Sequence, residues 1–529
     1  MALVGLTLVV FALPYCLPSP LLSLYESWPL TPQQRLRLTH DYGFDRPLPL
    51  QYAIWMQRLL TGAWGTSRYA PRLVFQESWQ ATGHTLLLLV WVGLLWGGGV
   101  LLWRLRPYRT TSQPRPRWAA TLGYVLGAVP IFLVAAILRE VLSNQLGWAG
   151  LARLPLFEPY YFFHPAYMLL PATLLALSAC RLWGLSASPG GSAQPSPPQG
   201  FWQQERTAVW LHLEIFFLEL YLTEYVFSLP GLGKLGIEAI KRRDIPLLQG
   251  FVLCTGLLYL LLGWLGERWR MPQMLRRPQG QVAATLQTPA LTTTDGYTAF
   301  WPLLLLAGVT LSAPWLFWYD PLEIHSRDQF LAPGYRYLCG TDFLGRDLLS
   351  RALGGFRSSL PRAVVLAGIL TIGYWLVIRA TPGLLRRGLQ YLWSTSRLFL
   401  QAVPHIALLF MSFLVLEGRP WALEISLLLA CLPSSASPRA VEHAPLFQRL
   451  CQCAWLSERL LMLEITLHFL NLSAESFAPT WGSDLRHGLH YGHTTVWMLV
   501  TPTLAVTWSR YTLARFGDAS QRSAPHPQT

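Results

Sequence analysis

Apolar residues in this chain come in long unbroken runs. Twelve runs approach the roughly 17–25 residues an α-helix needs to cross a hydrocarbon core. They fall at 1–20, 82–103, 118–139, 164–182, 208–228 and 248–266, and again at 298–319, 361–380, 398–416, 421–433, 460–476 and 495–514. The pattern predicts an all-α polytopic membrane protein with about 12 transmembrane helices, six and then six. The run at 421–433 is short, and the first contains Pro14 and Pro18. Nothing after residue 20 has the form of a signal-peptidase site, so the first run is expected to stay in place.

Composition agrees with this pattern. Charged residues are 13% of the 529, about half the roughly 25% of a soluble domain. The 24 Trp and 21 Tyr suit membrane–water interfaces. The net charge of +14 is almost entirely arginine, with only Lys234 and Lys241 as lysines. No basic recognition helix or zinc pattern accompanies it, which argues against a nucleic-acid partner. Arginines cluster instead in loops 104–117, 267–297 and 381–397, which the positive-inside rule places in the cytoplasm together with both termini. Loops 21–81 and 320–360 then lie outside. Only Cys339 faces the oxidising side, so no intrachain disulfide is expected. Cys451-x-Cys453 lacks a second pair and reads as two helix-packing thiols.

Four blocks carry most of the specific information. Residues 41–67 contain Asp41-Tyr-Gly43-Phe-Asp45-Arg46-Pro47, then Gln51-Tyr52, Trp55 and Gly62-Ala-Trp-Gly65-Thr66-Ser67. Residues 340–360 read Gly340-Thr341-Asp342-Phe-Leu344-Gly345-Arg346-Asp347, then Ser350-Arg351 and Gly354-Gly355-Phe-Arg357. After the fifth run comes Glu224-Tyr-Val-Phe227-Ser-Leu-Pro230-Gly231-Leu-Gly233, continuing to Arg243-Asp244 and Gly250. After the eleventh comes Glu464 with Phe469-Leu-Asn471, then Pro479-Thr-Trp481-Gly482-Ser-Asp484. The first and third blocks resemble the B-type permease of dipeptide, oligopeptide and nickel ABC importers. The second and fourth resemble its C-type partner.

The resemblance implies a fused pair: a B-type permease half at 1–270, a cytoplasmic linker at 271–297 and a C-type half at 298–529. It implies one pore built from two homologous six-helix halves in a bacterial inner membrane. It also implies two ABC ATPase subunits and a periplasmic solute-binding protein as partners, with no cofactor and no covalent chemistry on this chain. Glu224, Phe227, Pro230, Gly231, Gly233, Arg243, Asp244, Phe469, Trp481 and Gly482 would form the periplasmic gate and loops. In such permeases a cytoplasmic helix in each half docks on the ATPase. The corresponding residues are Arg181, Gly184 and Ser186 in the first half and Ala440 and Glu442 in the second, within about 179–187 and 438–459. Both segments depart from the family pattern: the first breaks into a Pro- and Gly-rich stretch, and the second lacks glycine. The loop after Phe469 departs too, with Asn471 and Ser473 where glycines are expected.

Charged residues inside spans are costly and usually face protein or a water-filled path. Glu219 is the candidate for lining such a path. Glu214 either lines it too or is solvated at the cytoplasmic end, and Glu224 reads as structural. Asp342, Arg346, Asp347 and Arg351 have the i,i+4 spacing of ion pairs on a short helix and suggest a salt-bridged outer collar. Gly231-Leu-Gly233-Lys234 lacks the earlier glycine and the following Ser or Thr of a phosphate loop, so ATP hydrolysis belongs on a partner chain. His487, His490 and His493 have no acidic or cysteine partner and read as interfacial histidines rather than a nickel site. The function expected is translocation of peptides or a related small solute. The alternatives are a permease-like protein uncoupled from ATP, acting as a passive channel or structural partner, and a polytopic membrane enzyme, for which no clustered catalytic side chains are found.

Overall fold

The computed structural model describes residues 2–16, 31–41, 45–67, 72–105, 128–142, 165–185, 201–275, 293–317, 319–382, 385–392, 403–416, 419, 421–432, 446–472, 479–491 and 495–522. Up to residue 275 its helices are α1 (Ala2–Ala12), α2 (Pro32–Asp41), α3 (Leu48–Leu60), α4 (Val74–Leu105), α5 (Ile131–Glu140), α6 (Pro165–Leu185), α7 (Phe201–Val226), α8 (Leu232–Lys241) and α9 (Ile245–Leu275). From residue 293 they are α10 (Thr293–Leu316), α11 (Leu348–Gly368), α12 (Tyr374–Ala380), α13 (His405–Leu416), α14 (Ala422–Cys431), α15 (Leu446–Phe469), α16 (Trp481–Tyr491) and α17 (Trp497–Arg522). Among the described residues the extended pairing is limited to two isolated bridges, Thr66 with Leu73 and Thr341 with Asp347. The chain is all-α, as the apolar pattern predicts.

One supersecondary unit occurs twice. The long helix α7 packs on short α8, which packs on long α9; α15, α16 and α17 repeat the arrangement. The turns out of α7 and α15 are the same motif. Leu229 N–H reaches back to Glu224 C=O at 2.8 Å and Ser228 N–H to Tyr225 C=O at 3.1 Å. Leu472 N–H reaches Leu467 C=O at 2.9 Å and Asn471 N–H reaches His468 C=O at 3.1 Å. These paired 6→1 and 5→2 bonds close a helix end around one left-handed residue. That residue is Ser228 (φ 56°) in one unit and Asn471 (φ 60°) in the other.

The two units face each other through α13 and α5. Helix α13 packs on α7 and α9, and α5 packs on α16 and α17. Aromatic pairs line the seam: Phe251 with Phe410 at 6.1 Å, Phe132 with Phe469 at 5.5 Å, and Tyr225 with Phe469 at 6.3 Å. Buried apolar residues from before residue 276 and from after residue 292 therefore form one continuous core.

Three described helical stretches are long and apolar enough to cross a membrane: Val74–Gly99, Ile245–Gly266 and Leu348–Val377. Shorter apolar helices lie at Ala2–Cys16, Met168–Ala179, Phe300–Ala313, His405–Leu416 and Ala422–Cys431. Several expected boundaries move. The run at 361–380 is the tail of a helix that starts at Leu348, passes through a π-helical turn at Ile369–Gly373 and ends as α12. The run at 460–476 belongs to α15, which begins at Leu446 and ends at Phe469. Its early turns bury Cys451, Cys453, Ser457, Glu458 and Arg459, residues the sequence reading assigns to a cytoplasmic segment. Cys451 and Cys453 lie inside the fold, as packing thiols do, and no disulfide forms among the described residues.

Candidate functional site

Three sets of polar residues stand out, one where the two units meet, one at the corner after α7 and one ahead of α11. The first is buried at the seam. Glu214 on α7 accepts from Arg459 on α15 at 3.0 Å and lies 3.0 Å from His405 Nε2 at the start of α13. Tyr259 OH on α9 donates to the same carboxylate at 3.3 Å. The Glu214, His405 and Arg459 side chains are 8%, 7% and 6% exposed, so Glu214 is not the solvated residue the sequence allowed. Arg459 also stacks on Trp455, 3.9 Å from the ring centre.

Beside this cluster, Glu458 Oε1 accepts from Arg510 Nε at 2.8 Å and from its Nη2 at 2.6 Å. The remaining amino group of Arg510 donates to Ala128 C=O at 2.9 Å, so this guanidinium also joins the segments before residue 276 and after residue 292. Glu219 accepts from Ser178 OH and from Ile131 N–H, the latter at 3.4 Å. A small cavity of about 40 Å³ is lined by Glu214, Glu219, His405, Glu458, Arg459 and Arg510, among others. Sequence reading identified Glu219 and, as one alternative, Glu214. It missed His405, Arg459 and Arg510, whose partners lie far away in the chain.

The second set locks the corner after α7. Glu224 is 1% exposed. It accepts from Thr85 OH on α4 at 2.7 Å and from Gly233 N–H at 2.7 Å, while Thr85 Oγ1 accepts from Leu232 N–H at 2.9 Å. The carboxylate thus serves the free N–H groups at the start of α8. A Cβ at Gly231 would run into the Glu224 carboxylate, and one at Gly233 into the backbone of Tyr221. Phe227 is buried and Pro230 is half-buried in the same corner. Arg243 is the left-handed residue (φ 51°) that ends α8. Asp244 accepts from Leu247 N–H at 3.1 Å at the start of α9, and Ser67 OH donates to its other oxygen at 2.5 Å. Ser67 belongs to the 41–67 block, so that block and the corner are one structure.

The third set lies ahead of α11, at the residues expected to form an outer collar. Asp342 Oδ1 accepts from Leu344 N–H and Arg346 N–H at 2.9 Å each, and Oδ2 accepts from Arg346 Nε at 2.7 Å. These residues form a tight loop rather than the expected short helix, with Gly340 and Gly345 both at φ 78°. The other expected pair, Asp347 with Arg351, is not the ion pair found. Asp347 is the N-cap of α11 and accepts from Ser350 N–H at 2.8 Å and Ser350 OH at 2.7 Å. Arg351 reaches Asp484 on α16 instead, with Nε 2.7 Å from Oδ1, and donates to Pro321 C=O at 3.2 Å. Trp481 donates to Ala352 C=O at 2.9 Å and packs edge-on against Phe356. Gly482 lets α16 lie against the α15 backbone at Ile465 and Phe469.

Burial governs the electrostatics of this collar. It pushes the Asp484 carboxyl up, against the pull of Arg351, and pushes Arg346 down. It drives His487 down to about 3, with Arg486 adding to the effect. His487 is therefore neutral at physiological pH and stacks on Phe343 at 4.9 Å. No group of three or more potential metal ligands occurs among the described residues. His493 lies outside them.

The candidate ATPase contacts divide similarly. Arg181 and Gly184 lie on the last turns of α6, while Ser186, Ala440 and Glu442 lie outside the described residues. Glu464 is fully buried on α15 and pairs with Arg362 of α11 at 3.1 Å.

No family model matches the chain. Individual relatives do. It is 24% identical over 293 residues to the probable peptide ABC transporter permease protein y4tP of Sinorhizobium fredii, covering 50% of this chain and 91% of the relative. It is 25% identical over 284 residues to the oligopeptide transport system permease protein AppB of Bacillus subtilis, covering 48% and 89%. It is 24% identical over 245 residues to the glutathione transport system permease protein GsiC of Salmonella typhimurium, covering 42% and 76%. These relatives are permease components of ABC transporters. Each aligns along most of its own length with about half of this chain.

Proposed function

We propose that this chain is the membrane-spanning permease of an ABC importer for peptides or a related small solute, energised by separate ATPase subunits. In this reading residues 1–270 are one permease half, 271–297 a cytoplasmic tether and 298–529 the second half. About twelve helices cross an inner membrane, with Ala2 and Arg522 on the cytoplasmic side. The observation that carries the reading is the duplicated unit of long helix, closed corner, short helix and long helix, packed face to face around a buried charged seam. Duplication is what a two-half pore needs. The alignment of nearly a whole permease with half of this chain supports it independently.

Transport in this reading is a change in the seam. The cavity between α7, α13, α15 and α17 encloses about 40 Å³, less than a dipeptide occupies, so this arrangement is closed. Closure of two ATPases on ATP would move the halves relative to each other and open a path. The corners after α7 and α15 would stay rigid, carrying the outer helices α8 and α16 with them. A solute-binding protein would dock on the outer side, over the collar and the 41–67 block. The coupling elements would be the segments around Arg181, Gly184 and Ser186 and around Ala440 and Glu442.

The test is co-purification of the full-length chain from its own membranes. The proposal predicts recovery of ABC ATPase subunits and ATP hydrolysis stimulated by peptide with its binding protein. Bulky charge at Gly184 or Ala440 should weaken that association while leaving membrane insertion intact. Helix-in-groove docking rests on a few anchors worth over about 1 kcal/mol each. Recovery of the intact chain with no ATPase under any condition would contradict the proposal.

A further inference from the structure

The two walls of the seam cavity carry opposite charge. On the side before the linker the ionisable groups are carboxylates, Glu214 and Glu219. On the side after it are Arg459, Arg510 and His405, with Glu458 engaged by Arg510. Every one of these side chains is at least about nine-tenths buried. The polar contacts that cross the seam at this cavity are charge-assisted: Glu214 with Arg459 and His405, and Arg510 with Ala128 C=O.

Opening the seam has a direct electrostatic consequence. If the walls separate, Glu214 loses Arg459 and His405, and Arg459 loses its carboxylate. Groups held this deep pay a large desolvation cost when left unpaired. A solute with one cationic and one anionic group can stand in for both partners at once. Its cation would sit against Glu214 and Glu219, and its anion against Arg459 and His405. A neutral solute, or one of single sign, leaves at least one wall uncompensated.

We propose that the seam is a binding site for bipolar solutes, in which Glu214 receives the cationic end and Arg459 the anionic end. The inference rests on the importer reading and adds a substrate chemistry and a polarity to it. The solute replaces the cross-seam ion pair, so the same residues close the empty path and recognise its cargo. Glu214, Arg459 and His405 do both tasks. Arg510, paired with Glu458 on the same wall, holds the second wall in place.

The test measures initial uptake of three labelled probes in cells that express the full-length chain with its native partners. The probes are Ala-Ala, N-acetyl-Ala-Ala and Ala-Ala-amide. Each rate is normalised to the wild-type rate for that probe, which removes selection by a binding protein. Glu214→Gln should cut uptake of Ala-Ala and Ala-Ala-amide by about tenfold or more, the order expected for one lost charge-assisted hydrogen bond. N-acetyl-Ala-Ala, which lacks the ammonium group, should keep or exceed its own wild-type rate, because the variant removes the carboxylate that this probe leaves unpaired. Arg459→Gln should show the mirror pattern, sparing only the amide. Glu214→Asp, which keeps the charge, should preserve the wild-type ranking of probes and covers the case in which the glutamine variant does not accumulate in membranes. Equal losses for all three probes in both variants, at normal protein levels, would overturn the site and leave the importer reading standing. Absence of uptake of every probe by the wild-type protein would remove the importer reading itself, and the site with it.

Discussion

The corners after α7 and α15 follow the same backbone path and are locked by different chemistry. The first is held by a carboxylate on the long helix itself, which reaches to α4. Glu224 gathers Thr85 and the Gly233 amide, both inside the first 275 residues. The second has no carboxylate at that place, since Leu467 occupies the position that Glu224 holds in the repeat. Its outer helix is fastened instead by Arg351 to Asp484 and by the Trp481 indole to Ala352 C=O, both reaching into the collar helix α11. A shared fold thus constrains the hydrogen bonds that close each helix end. It leaves open which side chain covers the neighbouring free N–H and carbonyl groups.

The largest difference should appear when each lock is cut. Arg351→Ala removes one partner of a buried pair and strands Asp484, which should cost about 3–5 kcal/mol. Thermal unfolding of the full-length protein in lipid nanodiscs measures this. Replacing both residues, Arg351→Met with Asp484→Leu, should recover most of the loss, because no charge is then left unpaired. A double variant as unstable as the single one would show that the pair does more than satisfy itself.

The first corner should be the weaker lock. Glu224→Ala leaves Gly233 N–H and Thr85 OH without their acceptor, at about 1–3 kcal/mol. Glu224→Gln, which keeps an acceptor oxygen, should cost less. If Glu224→Ala proves more damaging than Arg351→Ala under the same assay, the contrast between the two corners is wrong.

The corners should also differ in their response to pH. His487 stays neutral in the fold down to about 3, while an unfolded histidine titrates near 6.5. Between those values the unfolded chain binds the proton and the folded chain does not, so stability falls as pH drops below about 6.5. Arg486, Arg351 and Arg346 face this ring and oppose its protonation; Asp342 favours it. From pH 7 to 5 the loss should be at most about 2 kcal/mol, and His487→Asn should flatten it.

The smallest effect separates the two left-handed residues. Asn tolerates that region better than Ser, so Ser228→Gly should stabilise by up to about 1 kcal/mol. Asn471→Gly should change little. Paired unfolding midpoints measure the difference, and a larger gain at Asn471 would contradict the assignment.

The Asn471 result also marks what the sequence could and could not reveal. The apolar runs placed most of the long helices, because a helix core needs only local periodicity to be visible. Asn471 looked like the loss of a family glycine, yet it takes the left-handed conformation such a glycine would take. Composition alone hid this, since the requirement is for φ rather than for a particular side chain. Spacing misled in the collar for a related reason. Asp347 and Arg351 are four apart, but Asp347 turns to the backbone amide of Ser350 as an N-cap, and Arg351 finds Asp484 133 residues away. Helix α15 begins at Leu446, ahead of the apolar run at 460–476, and buries Glu458 and Arg459. Their partners, Arg510 and Glu214, are 52 and 245 residues distant. Non-local pairing of buried charges leaves no periodic trace.

The central claim is that the seam between α7, α13, α15 and α17 is the path a solute takes. A cysteine placed at Leu218, in an otherwise cysteine-free background that still transports, reports on it directly. A membrane-impermeant thiol reagent applied from outside should label that residue in one nucleotide state of the assembled transporter and not in the other. Transport with no labelling of position 218 in any nucleotide state, from either side of the membrane, would contradict the claim.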